Sequence, residues 1–274
     1  MNNTLRILFI GDVVGQPGKF ILSQVLKELK NNLKPDLTIA NGENLAGGKG
    51  ITPNLASKCF SFGVDVLTSG NHIWKNKEVF KIISSEPRLL RPANFPPDVP
   101  GNGFGLYKTE KNIPVAVINL MGRLNLLNID CPFRYMDSIL NTEESLINTP
   151  VKIVDFHAET SSEKIAMGWH LDGRVSAVLG THTHIQTADE KILPKGTAYI
   201  SDVGMTGPHD SVLGIEKQKI LEHFISQMPV TFSIAEKDLM LNAVIVDIEP
   251  STGKALFIKR ISQKVEGYDS SKDN

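Results

Sequence analysis

Cysteine is scarce in this sequence, and long apolar segments are missing. Among 274 residues there are two cysteines, Cys59 and Cys131, which are too few for a disulfide framework. They do not form a Cys-x-x-Cys pair, so two reduced thiols in a cytoplasmic protein are expected. The first apolar run, residues 7–10, is shorter than a signal peptide or a membrane helix of about 20 residues requires.

An excess of either charge is also missing. The chain has 29 Lys and Arg residues against 30 Asp and Glu residues, which gives a formal net charge of −1 at pH 7. Sequence-independent binding along nucleic acid needs a clustered basic surface, so an extended nucleic-acid interface is not expected. A small phosphorylated ligand, held by a few groups or by metal ions, stays compatible with this charge.

Two common catalytic motifs do not occur. The sequence has no Gly-x-Ser-x-Gly, the motif that forms the nucleophile elbow of α/β-hydrolases. Residues 47–50 are rich in glycine like a phosphate-binding loop, but Glu43 stands where the first glycine of that loop belongs. Gly50 likewise replaces the required Ser or Thr. A serine hydrolase and a P-loop nucleotide enzyme are therefore not supported.

Short apolar runs alternate with segments of helical spacing. In the helix predicted over residues 20–33, positions 21, 25, 29 and 33 are apolar and fall on one face. The strand–loop–helix rhythm predicts parallel strands with helices outside the sheet. The predicted strands are residues 5–10, 37–40, 64–68, 115–120, 151–156 and 175–179, and further helices are predicted over 52–62 and 75–84.

The C-terminal part has a different pattern. Residues 243–249 and 254–261 flank a Pro-Ser-Thr-Gly turn and predict an antiparallel hairpin. Proline and glycine crowd residues 86–105, which predicts an irregular loop, and the polar tail from residue 266 is expected to fray. No domain boundary is evident, so residues 1–274 predict a single α/β domain with either two apposed sheets or one large sheet.

Polar side chains follow the predicted strands at the edge where open α/β sheets bind ligands. Each alone is typical of a turn, a helix cap or a buried hydrogen bond, but their joint position favours a shared site. Carboxylate, amide and imidazole groups are ligands of hard or borderline divalent metals, and no thiolate is offered. The residues concerned are Asp12, Glu43, Asn44, Asn71, His72, His157, His182 and His184.

The spacing of these residues indicates two metal ions. His182 and His184 lie two apart, so on an extended backbone they face the same way, which suits two neighbouring ions. Asn71 and His72 are adjacent and face different directions, which suits one ligand and one residue aimed at substrate. One catalytic ion takes three or four protein ligands, fewer than the candidates available. The candidate ligands are Asp12, Glu43, Asn44, Asn71, His157, His182 and His184.

The order of these motifs resembles the calcineurin-like metallophosphoesterase superfamily. Its pattern is Asp-x-His, Gly-Asp, Gly-Asn-His, a single His and Gly-His-x-His, and the last three motifs match residues 70–72, 157 and 182–184. Two positions depart: no His follows Asp12, and Glu43 replaces the second Asp. These departures are similar to the YmdB-like phosphodiesterases, and the similarity covers nearly the whole chain. The segments that carry it are residues 11–15, 41–44, 90–94, 155–159, 180–184 and 202–207.

The resemblance implies a four-layer α/β/β/α sandwich with two divalent metal ions, iron or manganese. It also implies hydrolysis of cyclic nucleotides, including 2′,3′-cyclic ones, and assembly into dimers or tetramers. The ligands implied for the first ion are Asp12, Glu43, Asn44 and His184. Those implied for the second are Asn71, His157 and His182, with Glu43 bridging the two ions. The implied proton donor is His72.

These assignments predict a mechanism and leave two other functions open. Hydroxide activated by the metals would attack phosphorus in line while His72 protonates the leaving oxygen. Asp155 or Glu159 is expected to orient His157, and residues 86–105 and 121–135 are expected to form the pocket wall. The first alternative is a regulatory protein that acts through RNA-processing or signalling partners. The second is a broad phosphomonoesterase or phosphodiesterase that uses the same metals.

Overall fold

The computed structural model of the protein describes residues 4–269, and residues 1–3 and 270–274, including the end of the tail predicted to fray, lie outside that range. The strands are β1 (Leu5–Ile10), β2 (Asp12–Val13), β3 (Leu37–Asn41), β4 (Val66–Thr68), β5 (Phe104–Lys108), β6 (Pro114–Met121), β7 (Val151–His157), β8 (Ala177–Thr181), β9 (Lys191–Ile192), β10 (Ala198–Ile200), β11 (Met205–Pro208), β12 (Leu239–Ile248) and β13 (Ala255–Val265). The α-helices are α1 (Gly15–Leu33), α2 (Pro53–Phe62), α3 (Pro132–Thr142), α4 (Glu144–Ile147), α5 (Ser161–Leu171) and α6 (Lys217–Ser226).

The strands form two mixed sheets. The first has the order β2-β11-β12-β1-β3-β4, with β13 also paired to β12, and the second has the order β5-β6-β7-β8-β10-β9. The predicted parallel pairing is found along β1-β3-β4 and β6-β7-β8-β10. The predicted antiparallel hairpin is also present as β12 and β13, and it pairs through β12 with β1.

Three apolar cores place the sheets face to face with helices on both outsides. The central core joins residues of β1, β3 and β12 to residues of β6, β7 and β8. A second core packs α1 and α2 on the first sheet, and a third packs α3 and α5 on the second. The expected four-layer α/β/β/α sandwich is therefore present, with two apposed sheets. None of the helices within residues 4–269 combines the length and apolarity needed to cross a bilayer.

Two helix predictions need correction. Helix α1 begins at Gly15, five residues before the predicted start, because Pro17 is tolerated in a first helical turn. Gly18 is typical of a turn in the sequence, but in the structure it lets α1 pack closely on β11. A Cβ at this position would lie 2.7 Å from the Thr206 carbonyl oxygen. The helix predicted over residues 75–84 is wrong: a 3-10 helix spans Lys77–Lys81 only. The Asn76 side chain caps the start of this 3-10 helix by accepting a hydrogen bond from the Glu78 amide.

Local capping explains why the helices beside the site begin where they do. Thr52 accepts a hydrogen bond from the Leu55 amide at the start of α2, and Thr160 does the same for the Glu163 amide of α5. The C-terminal ends of β3, β4, β7 and β8 lie at one edge of the sandwich, where Asn41 contacts Asp155 and Glu43 contacts His157 across the two sheets.

Candidate metal centre

The structure brings all the predicted site residues to one edge of the sandwich. Asp12 lies on β2, and His157 is the last residue of β7. The remaining residues follow β3, β4 and β8. Four of the side chains are buried and four lie at the rim. The buried ones are Asp12, Glu43, Asn44 and His157, and the rim ones are Asn71, His72, His182 and His184.

His157 is at the centre of one half of this cluster. Its Nε2 lies 3.0 Å from Asn71 Oδ1, 3.0 Å from His182 Nδ1 and 3.3 Å from Glu43 Oε1. One ligand atom each from Glu43, His157 and His182 fits within 4.8 Å of the others. Donor atoms of Glu43, His157 and His182, which lie on or after three different strands, thus converge on one point.

Hydrogen bonds on the far side of each ring determine which nitrogen faces that point. The Thr181 hydroxyl donates to Asp155 Oδ1 at 2.7 Å, so its oxygen must accept from His157 Nδ1 at 2.9 Å. His182 Nε2 lies 2.8 Å from the Glu159 carboxylate, on the side of the ring away from His157. His157 Nε2 and His182 Nδ1 therefore face each other at 3.0 Å, which suits a cation between them once Nε2 has lost its proton.

The other half of the cluster contains Asp12, Asn44 and His184. His184 Nδ1 donates to the Leu213 carbonyl oxygen at 3.0 Å, so its Nε2 faces inward, 3.1 Å from Asn44 Nδ2 and 4.0 Å from Asp12 Oδ1. Asp12 Oδ2 accepts from the His182 amide at 3.0 Å. Its Oδ1 is buried and has no hydrogen-bond partner within residues 4–269. A buried carboxylate oxygen without a partner is costly and is typical of a ligand position.

His72 lies beside both halves. Its Nδ1 is 2.8 Å from Asn44 Oδ1 and 3.3 Å from Glu43 Oε1, and its amide donates to Glu43 Oε2 at 3.0 Å. Its side chain is 21% exposed, and Nε2 forms no hydrogen bond within residues 4–269. This imidazole therefore contacts the cluster through one nitrogen and leaves the other accessible from the crevice.

The charges of the cluster shift its pKa values in opposite directions. Burial disfavours a charged His157, but the carboxylates of Glu43, Asp12 and Asp155 outweigh it and raise the pKa of His157 to about 9. Burial and the neighbouring His157 lower the pKa of His182 to about 3. Burial also opposes the charged form of Glu43, yet His157 and His72 hold its pKa well below the ordinary value. Burial raises the pKa of Asp12.

These side chains fit divalent metal ions. Oxygen and imidazole donors converge, each ring directs one nitrogen inward while the other contacts an outer partner, and one buried carboxylate oxygen is unpaired. The backbone is adapted to this crowding at Gly70, where a Cβ would lie 2.2 Å from His157 Cδ2 and 2.4 Å from Glu43 Oε2. The donor set of carboxylate, amide and imidazole suits iron or manganese.

The sequence predicts the residues of the cluster but not all of the residues that orient them. Asp155 was expected to orient His157, and it does so through the hydroxyl of Thr181. The alternative prediction, that Glu159 orients His157, is wrong, because the Glu159 carboxylate contacts His182 instead. Thr181 is the last residue of β8 and directly precedes His182, a position that could have indicated its role. The Leu213 carbonyl that holds His184 carries no sequence signal.

Solved structures share this fold across almost their whole length. A phosphatase from Mycoplasma pneumoniae superposes with a TM-score of 0.90 at 32% identity, covering 96% of this chain and 95% of the other. A hypothetical protein from Thermus thermophilus superposes with a TM-score of 0.88 at 38% identity, covering 95% and 99%. The four-layer architecture is thus shared with proteins of clearly related sequence.

Sequence comparisons give the family. A curated 2′,3′-cyclic-nucleotide 2′-phosphodiesterase of Bacillus subtilis (strain 168) is 49% identical over 257 residues, which cover 94% of this chain and 96% of that protein. The family model described as YmdB-like protein matches residues 8–261, a range that includes every residue of the cluster. On this match and this identity, the chain belongs to the YmdB-like protein family.

Proposed function

We propose that this protein is a metal-dependent phosphodiesterase that hydrolyses cyclic nucleotides, with 2′,3′-cyclic nucleotides preferred. Its likeness to the Bacillus subtilis 2′,3′-cyclic-nucleotide 2′-phosphodiesterase supports the substrate class. The observation that carries the proposal is the convergence of His157 Nε2, His182 Nδ1 and Glu43 Oε1 on one point. These donors suit a cation, and a cation in a crevice suits an anionic phosphodiester.

Two metal ions, iron or manganese, are proposed for this site. Glu43 contacts His157 of one half and His72, which in turn contacts Asn44 of the other half, and it is proposed to serve both metal positions. Two ions would lower the pKa of a bound water toward neutrality and would neutralise the negative charge of the phosphate. The first ion is assigned to Asp12, Glu43, Asn44 and His184. The second is assigned to Glu43, Asn71, His157 and His182.

His72 is proposed as the general acid. The Glu43 carboxylate 3.3 Å from Nδ1 favours a proton on that nitrogen, and Asn44 Oδ1 accepts it at 2.8 Å. Nε2 remains accessible and can carry the proton that the leaving alkoxide requires. Proton transfer of this kind contributes about 10²–10⁴-fold to the rate. Asn44 thereby connects the orientation of His72 to that of His184, since its amide donates to His184 Nε2.

A broader phosphatase is the second candidate, because a structural relative at 32% identity is described as a phosphatase. A panel of 2′,3′-cyclic, 3′,5′-cyclic and linear diesters together with monoesters distinguishes the two, with elemental analysis of the same preparation. We expect turnover of 2′,3′-cyclic nucleotides to be greatest and to depend on bound iron or manganese. Equal or faster turnover of monoesters would favour the phosphatase, and turnover unaffected by chelators would contradict metal dependence.

A homo-oligomer, a dimer or tetramer, is proposed on the basis of helix α6. None of its residues is buried, and it is apolar on an exposed face. A second copy covering this face would remove that apolar surface from water. Light scattering of the wild type and of Ile225→Glu tests this, with dissociation expected in the variant and a monomeric wild type contradicting it. The exposed apolar residues of α6 and of the chain on either side of it are Leu213, Leu221, Phe224, Ile225, Met228 and Phe232.

A cytoplasmic location is proposed because both cysteines are free. Cys59 is buried and forms no disulfide, and burial raises the pKa of its thiol to about 12. Cys131 is free as well. Reduced cysteines of this kind are typical of a reducing compartment. Cell fractionation checks the proposal, and recovery of the protein outside the cytoplasm would contradict it.

A further inference from the structure

A buried ion pair lies directly behind the two histidines of the His-x-His motif. Lys164 Nζ on α5 is 2.5 Å from Asp202 Oδ2, and the two side chains are 3% and 1% exposed. Removing two charges from water costs several kcal/mol, so a buried pair rarely stabilises a fold more than apolar packing does. Neither residue belongs to the proposed ligands, and the pair therefore needs another explanation.

Three hydrogen bonds of the pair end on the residues next to the two histidines. Lys164 Nζ donates to the Thr181 carbonyl oxygen at 2.8 Å. Asp202 Oδ2 accepts from the Thr183 amide at 3.0 Å and from the Thr183 hydroxyl at 2.8 Å. Asp202 Oδ1 accepts from the Gly204 amide at 2.8 Å. The pair thus holds the residue before His182 and the residue between the two histidines.

Both histidines have a backbone conformation that needs such support. The φ angle of His182 is +103° and that of His184 is +64°, a region that residues with a Cβ rarely adopt. Conformations of this kind persist only when surrounding contacts over-determine them. Thr183, which the Asp202 carboxylate binds twice, is the residue that separates the two strained positions.

The strained backbone places the two rings. His182 presents Nδ1 to His157 Nε2 at 3.0 Å, and His184 presents Nε2 to Asp12 Oδ1 at 4.0 Å. If the segment relaxed to an ordinary conformation, the two imidazoles would turn away from the two halves of the cluster. The pair is thus connected to both proposed metal positions through one stretch of backbone.

We infer that Lys164 and Asp202 are positioning residues that hold the backbone of His182 and His184 at positive φ and so direct both imidazoles into the site. This inference rests on the proposed function, because it assigns the pair a role in forming the proposed metal centre. The pair acts through the backbone and does not touch the substrate.

The test compares four variants of the full chain. Lys164→Met removes one partner, and Lys164→Met with Asp202→Asn removes both charges, which avoids an unpaired buried carboxylate. Thr183→Ala removes only the hydroxyl that Asp202 binds. Arg6→Met is the control, because Arg6 pairs with Asp247 at 2.6 Å between β1 and β12, at the strand ends opposite the site.

Two measurements separate positioning from general stability. Long-range ¹H–¹⁵N NMR of the metal-free protein reports the tautomers of His182 and His184. Titration with Mn²⁺ alone, followed by electron paramagnetic resonance of the free ion, reports affinity and stoichiometry. We expect the double variant to melt within a few degrees of the wild type, yet to show changed histidine signals and about tenfold or weaker Mn²⁺ binding. Thr183→Ala should also change the histidine signals and weaken Mn²⁺ binding, whereas Arg6→Met should leave the signals and the Mn²⁺ affinity unchanged.

Unchanged histidine signals and Mn²⁺ affinity in the double variant and in Thr183→Ala would overturn the inference. The double variant or Thr183→Ala alone is enough to test the inference, so the test still works if Lys164→Met does not fold. The NMR measurement uses no metal and no substrate, so it fails independently of the proposed function. A wild type without phosphodiester turnover would contradict the proposed function, whereas unchanged signals would contradict the role of the pair.

Discussion

The ring of His157 is held by the hydroxyl of Thr181, which lies 2.9 Å from its Nδ1. That hydroxyl donates its proton to Asp155 at 2.7 Å, and Asp155 accepts a second hydrogen bond from Asn41 at 3.0 Å. Since Asn41 belongs to the first sheet and Asp155 to the second, the chain of bonds crosses the interface between them. The orientation of the proposed ligand is therefore coupled to the packing of the whole sandwich.

Thr181→Val is expected to weaken metal binding by about 10–100-fold while the protein stays folded. Valine keeps the shape of threonine but leaves His157 Nδ1 without its acceptor and Asp155 without one donor. Thr38→Val is the matched control, because the buried Thr38 hydroxyl has no hydrogen-bond partner within residues 4–269. Mn²⁺ titration of both variants checks the prediction, and equal affinities would show that the hydroxyl does not orient the ring.

Gly70→Ala is expected to abolish metal binding. The added Cβ would lie 2.2 Å from His157 Cδ2 and 2.4 Å from Glu43 Oε2, so two proposed ligands would have to move. Gly47→Ala serves for comparison, because its Cβ meets nothing within 4 Å although its φ of +59° disfavours alanine by about 1–2 kcal/mol. Elemental analysis should find metal in the second variant and little in the first, and normal metal content in Gly70→Ala would refute the expected clash.

Metal binding is expected to release a proton from His157 at neutral pH. Neighbouring carboxylates raise the pKa of this imidazole from 6.5 to about 9, so without a cation Nε2 carries a proton at pH 7. Affinity should therefore rise with pH, by roughly tenfold per unit below pH 9, and level off above it. His182, whose pKa is lowered to about 3, has no proton to lose.

Calorimetry in buffers of different ionisation enthalpy measures this release. The half-buried His223 lies outside the cluster, so His223→Ala should release the same number of protons as the wild type. The same pKa shift implies that the metal-free protein gains stability from His157 below pH 6.5 and loses it as the pH rises through about 9. Proton release near zero at pH 7 would contradict a protonated His157.

Local sequence pattern predicted most strands and the position of the site. Buried strands such as β1 and β7 are mostly apolar, and the polar residue that ends or follows each strand could be assigned to one sheet edge. The helix over residues 75–84 was wrong because spacing alone cannot distinguish one 3-10 turn from a full helix. The start of α1 was missed because Pro17 and Gly18 are typical of a turn as well as of a first helical turn.

The supports of the site could not be predicted in the same way. Which acceptor holds each imidazole depends on contacts between separate elements, as between Thr181 and His157 on neighbouring strands. The next bond outward, from Asn41 to Asp155, joins two sheets and residues more than a hundred positions apart. Lys164 lies on helix α5 without any motif signal, and its partner Asp202 follows strand β10. Charge pattern gave no indication that this lysine is buried.

The most direct test of the account measures metal content and turnover in His72→Ala, with His182→Ala as its counterpart. The proposed general acid touches the cluster through Asn44 and Glu43 but is not assigned as a ligand. We predict that His72→Ala keeps the metal content of the wild type and loses about 10²–10⁴-fold in turnover of a 2′,3′-cyclic nucleotide. His182→Ala should lose metal as well as turnover. Full turnover in His72→Ala, or unchanged metal content in His182→Ala, would contradict the account.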